Sequence, residues 1–420
     1  MGTSGGITVG KAMALGLALL GCLATGGESR GPLYGAIGAA RRGLVETGAA
    51  VFDVTQYGAK ADGKTDDALA FIKAWNAACH NSGPAKLVIP AGTYLCGPVV
   101  FQGPCPGSNP ITVEVNGNIK ASTDTSAYSE DWWFSFELID GLVLKGGVFD
   151  GQGETAWPYN DCKQNSDCQH LPVSLKFNKL NNTIVDGVTS LNSMGFHFSL
   201  TFSRNFTGIN LNITAPDESP NTDGIHLSSS DRINISNSFI GTGDDCIGII
   251  QGATNVTITQ ITCGPGHGIS IGSLGKYPKE KDVMGVHVRN ATLTNTTNGV
   301  RIKTYPGEKQ LLASDIIFED IVMNNVKNPI IIDQNYGSEK VTKPSSVKVS
   351  DVHFKNIRGT TVSEVAVTLL CSSSNPCDPV ELSHIDLSFA GDSSGSKSIT
   401  SSCTNAKPTF IGTQNPPACR

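Results

Sequence analysis

Residues 222–271 read TDGIHLSSSDRINISNSFIGTGDDCIGIIQGATNVTITQITCGPGHGISI, and this stretch decides the fold. Two kinds of short apolar segment alternate in it. One is a triplet with a polar centre, Ile233-Asn-Ile235 and then Val256-Thr-Ile258. The other follows a small residue or a cysteine, as in Gly224-Ile-His, Cys246-Ile-Gly-Ile and Gly268-Ile-Ser-Ile. Alternation of this kind marks a strand with one buried face. The Asn, Gly, Ser and Thr residues between the segments are turn formers.

Both sets continue downstream. The first runs on through Val286-His-Val288, Ile316-Ile-Phe318 and Val347-Lys-Val349, the second through Gly299-Val-Arg-Ile and Pro329-Ile-Ile-Ile. Within each set the interval is 22 to 31 residues. Repeats this short, built only of strands and turns, predict an all-β fold of the β-solenoid type, a parallel β-helix. A leucine-rich repeat would carry its Leu/Asn signature, which is absent, and a propeller blade would need about 40–50 residues. A β-sandwich would not favour the same triplets returning at this interval. Composition agrees: 47 Gly and only 16% charged residues in a 420-residue chain suit many short strands joined by turns.

The chain before the repeats divides in three. Lys11 precedes an apolar run from Ala12 to Ala24, too short to span a bilayer and ending in small residues, so residues 1–24 are expected to be a signal peptide. Residues 25–50 show no packing pattern and are expected to be a linker or pro-segment, leaving 51–420 as the β-helix domain. Val51 to Tyr57 reads as a strand. Thr65 or Asp66 then opens a helix with apolar residues at Ala68, Phe71, Ile72, Trp75 and Cys79. A single amphipathic helix here would cap the repeat array, whose open end would otherwise expose apolar side chains and unpaired strand groups.

Twelve cysteines accord with an oxidising compartment. Setting aside Cys22, close sequence pairs suggest disulfides between Cys162 and Cys168, Cys246 and Cys263, Cys371 and Cys377, and Cys403 and Cys419. Of Cys79, Cys96 and Cys105, one is left unpaired. Zinc is the alternative, but no CxxC or His-Cys cluster supports it. Glycosylation sequons occur at Asn181, Asn205, Asn212, Asn234, Asn255, Asn290 and Asn295, which favours the secretory route and an extracellular or cell-wall location. The net charge of −6 and the lack of a basic stripe with interleaved aromatics argue against nucleic acid. A monomer with no membrane association after leader removal is expected.

Successive coils of a solenoid lie about 4.8 Å apart, so residues one repeat apart become neighbours. Asp223, Asp245 and His267 each stand two residues before the isoleucine of their segment, at intervals of 22. Asp244 adjoins Asp245, and the next coil carries Arg301 and Lys303 on one face, either side of Ile302. Three carboxylates, an imidazole and two cations are thereby predicted on one ridge. Glycosidic bond hydrolysis needs a proton donor and a nucleophile, and two carboxyls about 6.5–9.5 Å apart leave room for a water and give inversion. Crowded carboxylates raise at least one pKa and keep an acid protonated, while Arg301 and Lys303 suit an acidic sugar. Turn-forming aspartates explain Asp223 alone but not adjacent acids facing cations. A Ca²⁺ site built from the three acids is disfavoured by the same cations.

The segments Asn221-Thr-Asp-Gly-Ile-His, Gly243-Asp-Asp-Cys, Gly266-His-Gly and Arg301-Ile-Lys resemble the four signature motifs of the polygalacturonase family, glycoside hydrolase family 28, in order and spacing. The resemblance extends from about Val51 to the C-terminus and includes Phe149-Asp-Gly-Gln-Gly. It implies a right-handed parallel β-helix that hydrolyses α-1,4 bonds between galacturonates of pectin with inversion and without metal or other cofactor. It casts Asp244 as general acid, Asp223 with Asp245 as the pair activating water, and His267 as support for the acid. Arg301, Lys303, Tyr336 and Asn221 would bind substrate. Gly337 departs from many plant members, where a cysteine is common, which puts one family disulfide in doubt. The run Ser193-Met-Gly-Phe-His-Phe and the stretch Gly272-Ser-Leu-Gly-Lys resemble plant exopolygalacturonases, so exo action is expected, with endo action as the alternative. Exo action requires one blocked end of the cleft, for which Cys162 to Cys168 and Ala121 to Trp133 are candidates. A pectate-lyase-like eliminase and a non-catalytic wall-binding protein are less favoured.

Overall fold

The computed structural model describes residues 48–419, apart from 162–164, 166–167, 169, 338–342 and 391–396. The expected leader, most of the linker, Cys22 and Cys162 lie outside the described residues.

Every strand pairing is parallel, and the chain coils. One ribbon of eleven strands runs from Val99–Gln102 through Ile225–Ser228, Ile247–Ile249, Ile269–Leu274, Asn298–Thr304 and Asn328–Asp333 to Thr400–Thr404. The remaining strands form the other walls of each coil. In the middle coils two of these walls fuse into one long strand, such as Asp231–Gly241 or Thr254–Cys263. The long strands turn the corner at a residue in the left-handed region: Asn237 (φ 50°), Gln260 (φ 55°) and Asn290 (φ 55°). Asn tolerates that conformation better than most side chains, and its amide also bonds between coils, Asn237 Nδ2 donating to Asn210 Oδ1.

The registers explain the core. Ile235, Ile258, Val288 and Phe318 stand directly over one another on one wall, and Ile225, Ile247, Ile269, Val300 and Ile330 do so on the eleven-stranded ribbon. All are fully buried. A lone coil could not cover these faces, and stacking contributes about 1.5–3 kcal/mol per buried Val or Ile.

One expected repeat is corrected. Val347-Lys-Val349 does not continue the column of Ile316-Ile-Phe318; that column passes to Val352 and Phe354. Val347 and Val349 instead pair with Leu311 and Ala313, because this coil carries the extra length of the strand Gly307–Val326.

The cap helix spans Ala68–Cys79. Neither Thr65 nor Asp66 is its N-cap: both lie in the strand Asp62–Asp66, and Asp67 stands at the cap position. Asp67 makes no cap bond because its carboxylate accepts the amides of Lys60 and Ala61 at 2.7 and 3.2 Å. Likewise the strand expected over Val51 to Tyr57 is Ala50–Asp53 followed by a 3₁₀ turn, Val54–Tyr57, since Asp53 Oδ1 accepts from Thr55 N at 2.8 Å and folds the chain there. The helix seals the end of the array: Trp75 stacks on Phe101 at 4.7 Å, and Phe71 packs edge-on against Tyr94.

Disulfides join Cys246–Cys263, Cys371–Cys377 and Cys403–Cys419. Cys79–Cys105 is a further bridge, and Cys96 is the free, buried thiol among the described residues. Cys168 is also disulfide-bonded. Six of the sequon asparagines are exposed, and Asn181 is partly so. Among the described residues no helix is long and apolar enough to cross a membrane.

Candidate active site

The eleven-stranded ribbon sets the site. In register across its middle coils stand His226, Gly248, Ser270 and Arg301, on the face opposite the buried isoleucine column. The acids sit on the turns that feed these strands. A Cβ at Gly224 would collide with the Ile240 side chain and the Cys246 carbonyl, so glycine there lets the Asp223 coil lie directly on the next. The bonds Gly224 N to Asp245 O, 2.9 Å, and His267 N to Asp244 O, 2.7 Å, lock the feeding turns to one another.

Asp223, Asp244, Asp245, His267, Arg301 and Lys303 meet here. Asp245 is 2% exposed and lies at the centre: Arg301 Nη2 and Ser270 Oγ donate to its Oδ1 at 2.6 and 2.8 Å, and Lys303 Nζ donates to Oδ2 at 2.8 Å. Burial alone would raise its pKa; Arg301 and Lys303 outweigh that and hold the carboxyl below its usual value. Lys303, itself penalised by burial, is held above its usual value by Asp245.

Asp223 behaves oppositely. Burial, reinforced by the charge of Asp244, pushes its pKa to about 6, against the pull of its hydrogen bond with His226 Nδ1 at 3.0 Å. The oxygens Asp223 Oδ2 and Asp245 Oδ2 lie 3.2 and 3.8 Å from where a Cβ on Gly248 would sit. The missing side chain thus leaves a small space faced by both carboxylates. Asp244 is half-buried; its Oδ1 bonds His267 Nδ1 at 2.9 Å and accepts the Asp245 amide at 2.8 Å. That hydrogen bond is the main reason the His267 pKa is raised.

Tyr336 is also at the site, its ring 5.1 Å from Lys303 Nζ and 5.9 Å from Arg301 Cζ. Asn221 is exposed on the turn before Asp223 and lines a neighbouring pocket. Gln334, two residues before Tyr336, is buried and donates to Val347 O at 2.8 Å, anchoring that turn.

Sequence reasoning assigns no role to His226, Phe196, Ser270, Gly248 or the 273–280 loop, although His226, Phe196 and residues 273–276 lie within the family-like segments quoted above. His226 lies inside one of the repeat segments, and only the strand pleat reveals that it faces Asp223. Phe196 stacks on it at 4.1 Å. Asp244, Asp245 and His267 have ligating atoms within 4.8 Å of one another. They do not suit a cation, because both Asp245 oxygens already accept from Arg301, Lys303 and Ser270.

A parallel coil with acids, imidazole and cations clustered on one wall defines a carbohydrate-cleaving hydrolase, and similarity to known proteins gives the family. Residues 79–414 match the model of Glycosyl hydrolases family 28. The chain is 44% identical to an exopolygalacturonase of Arabidopsis thaliana, with 98% of this chain and 96% of that one covered. It is 46% identical to an exopolygalacturonase of Platanus acerifolia over 89% of this chain and 98% of the other. Among solved structures, the endo-xylogalacturonan hydrolase of Aspergillus tubingensis superposes with a TM-score of 0.75 at 26% identity, covering 86% of this chain and 100% of that one. An exopolygalacturonase of Thermotoga maritima shares the fold, with a TM-score of 0.73 at 21% identity over 86% of this chain and 91% of the other. The chain belongs to glycosyl hydrolase family 28 and is a glycoside hydrolase.

Proposed function

We propose that the protein hydrolyses α-1,4 bonds of polygalacturonan with inversion, one unit at a time from the non-reducing end. The observation that carries this is the split between neighbouring acids: Asp245 is held ionised by Arg301 and Lys303 while Asp223, beside it, is pushed up by burial. A pKa raised toward neutrality suits Asp223 to take a proton from water, and ionised Asp245 beside it orients that water.

In this reading Asp244, the most accessible of the three acids, protonates the leaving oxygen with His267 supporting it. Asp223 and Asp245 hold and deprotonate the attacking water in the space over Gly248. Room for that water between acid and base gives inversion. Arg301 and Lys303 each spend only part of their donors on the protein, through Nε and Nη2 and through one ammonium bond respectively. The remaining donors are available to a uronate carboxylate, and Tyr336 covers the same spot. The names of the two plant relatives favour the substrate and exo action.

Exo action has further support in a pocket of about 370 Å³ beside His226. Asp131 from the expected blocking segment 121–133, and His170 and Leu171 just beyond Cys168, are among its lining residues. A wall there would stop a polymer from passing through. Secretion, from the apolar run at residues 12–24, would deliver the enzyme to its polymeric substrate.

The test is release of reducing ends from polygalacturonate, with Asp244→Asn as control. The expected result is galacturonate monomer from the first minutes and loss of at least about 10³-fold in the variant. Mixed oligomers at early times would establish endo action, unsaturated products would establish elimination, and an Asp244→Asn enzyme of full activity would remove the acid assignment.

A further inference from the structure

The pocket beside His226 has a charge pattern that the hydrolytic machinery does not account for. Ser273, Lys276, Tyr277 and Glu280, from the end of the strand Ile269–Leu274 and the loop after it, are among its lining residues. Glu280 organises the loop: its carboxylate accepts the backbone amides of Gly275, Lys276 and Tyr277 at 2.7, 3.0 and 2.7 Å. Three charge-assisted bonds to consecutive amides are a strong restraint on so short a segment. They fix where Lys276 and Tyr277 stand.

The ionic groups that line the pocket are Asp131, Lys276 and Glu280, with His170 and His226 as titratable neighbours. Asp131 is paired with Lys176 Nζ at 2.9 Å. Glu280 is occupied by the three amides. Lys276 is the exception: among the described residues no carboxylate lies within 4 Å of its Nζ. Its ammonium instead sits 5.1 Å from the Tyr277 ring centroid and 5.6 Å from that of Tyr305. Tyr305 meets Tyr336 edge-on at 5.5 Å, and Tyr336 carries Lys303 and Arg301. Lys276 is thus held by a hydrogen bond to the Tyr277 side chain and by the neighbouring rings, with no carboxylate partner among the described residues, at one end of an aromatic strip whose other end is the cation pair of the acid cluster.

We propose that this pocket seats one uronic acid unit, with Lys276 Nζ pairing its carboxylate and Phe196 and Tyr277 bounding the sugar. The proposal rests on the polygalacturonase reading and adds to it a third carboxylate-recognising cation, on a different loop from Arg301 and Lys303. The pocket, about 370 Å³, has room for a sugar unit, and the Lys276 ammonium supplies the anionic preference that Arg301 and Lys303 supply beside the scissile bond. Lys276 is exposed, so its ammonium is within reach of an incoming anion, and the rings of Tyr277 and Tyr305 restrict where it stands. Lys276 acts on binding and not on the reacting atoms, so it belongs to substrate selection.

The test uses the full chain. Trigalacturonate binding is titrated calorimetrically in the Asp244→Asn background, with Lys276→Gln and Lys276→Arg added to it, and turnover of the same trimer is followed in the corresponding enzymes that retain Asp244. Removing one charge-assisted contact is expected to weaken binding and raise KM about tenfold, with kcat changed less than threefold and the salt dependence of KM flattened. Lys276→Arg restores most of the affinity. Binding and KM within twofold of the parent in Lys276→Gln, with the wild type active, would overturn the subsite alone. Trimer binding that depends on Lys276 in a wild type that releases no reducing ends from polygalacturonate would overturn the polygalacturonase reading and leave the subsite standing.

Discussion

Replacing Gly248 by alanine would test the water-holding space without removing any titratable group. Gly248 is a strand residue between His226 and Ser270 in register, and its backbone needs no special conformation. The new methyl would stand 3.2 Å from Asp223 Oδ2, 3.7 Å from His226 Nδ1 and 3.8 Å from Asp245 Oδ2. The first contact is tight by a few tenths of an ångström, and Asp223 is the group that must yield, against its bond to His226. For the fold, loss of glycine's unfolded freedom contributes about 0.4–1 kcal/mol of stability, so the melting temperature should hold or rise slightly. For the reaction, a methyl now fills the position that both carboxylates face. Displacing a water or a carboxylate by about 1 Å costs on the order of 10²-fold in rate, or roughly 2.7 kcal/mol in the barrier. Reducing-end release from polygalacturonate, measured alongside thermal denaturation, reads both quantities. A Gly248→Ala enzyme with kcat/KM within threefold of the wild type and an unchanged melting temperature would refute the idea that the reaction uses this space.

Four further outcomes are expected. The acidic limb of kcat/KM should fall near pH 6, where Asp223 ionises, and His226→Ala should move it to higher pH by removing the hydrogen bond that lowers the Asp223 pKa; a pH–rate profile reads this. The two aspartates should also oppose each other in stability: the raised Asp223 pKa favours the fold below its unfolded value of 3.8, a gain lost as pH rises through about 6, whereas the lowered pKa of Asp245 favours it above 3.8, a gain lost as pH falls through the folded value. Arg301→Gln leaves buried Asp245 with Lys303 as its remaining cation and Ser270 as its other donor and should cost on the order of 3 kcal/mol in denaturant unfolding, and an unchanged midpoint would mean that the pair is structurally idle. Cys96 is buried and its thiol is pushed well above its usual pKa by burial, so thiol reagents should label it only after unfolding, as mass spectrometry would show.

Much of the fold was legible because the solenoid writes its period into the chain. The column Ile225, Ile247, Ile269, Val300 and Ile330 is the predicted one, and the acids followed from their fixed offset to it. Where a coil changes length the same logic slips, as at Val347, since a triplet says that it is a strand but not which neighbour it stacks upon. Helix capping failed for a related reason: Asp67 could serve the helix or the 60–61 backbone, and only the folded chain decides. His226 and Ser270 were hidden in plain sight, because alternation shows that a residue points outward without showing what it meets there. Lys276 and Tyr277 lie on a loop without period, and their placement comes from a carboxylate several residues away.

The stacked registers also bear on durability. Each acid comes from its own coil, and each coil touches only the two beside it. The cluster occupies coils well inside the array, with the cap helix and several coils before it and the strands through Ala406–Asn415 after it. Fraying, which starts at exposed ends, must therefore unpeel several complete coils before it loosens Asp223 or Lys303. Partial melting or clipping of either terminus should leave a shortened rod that still cuts.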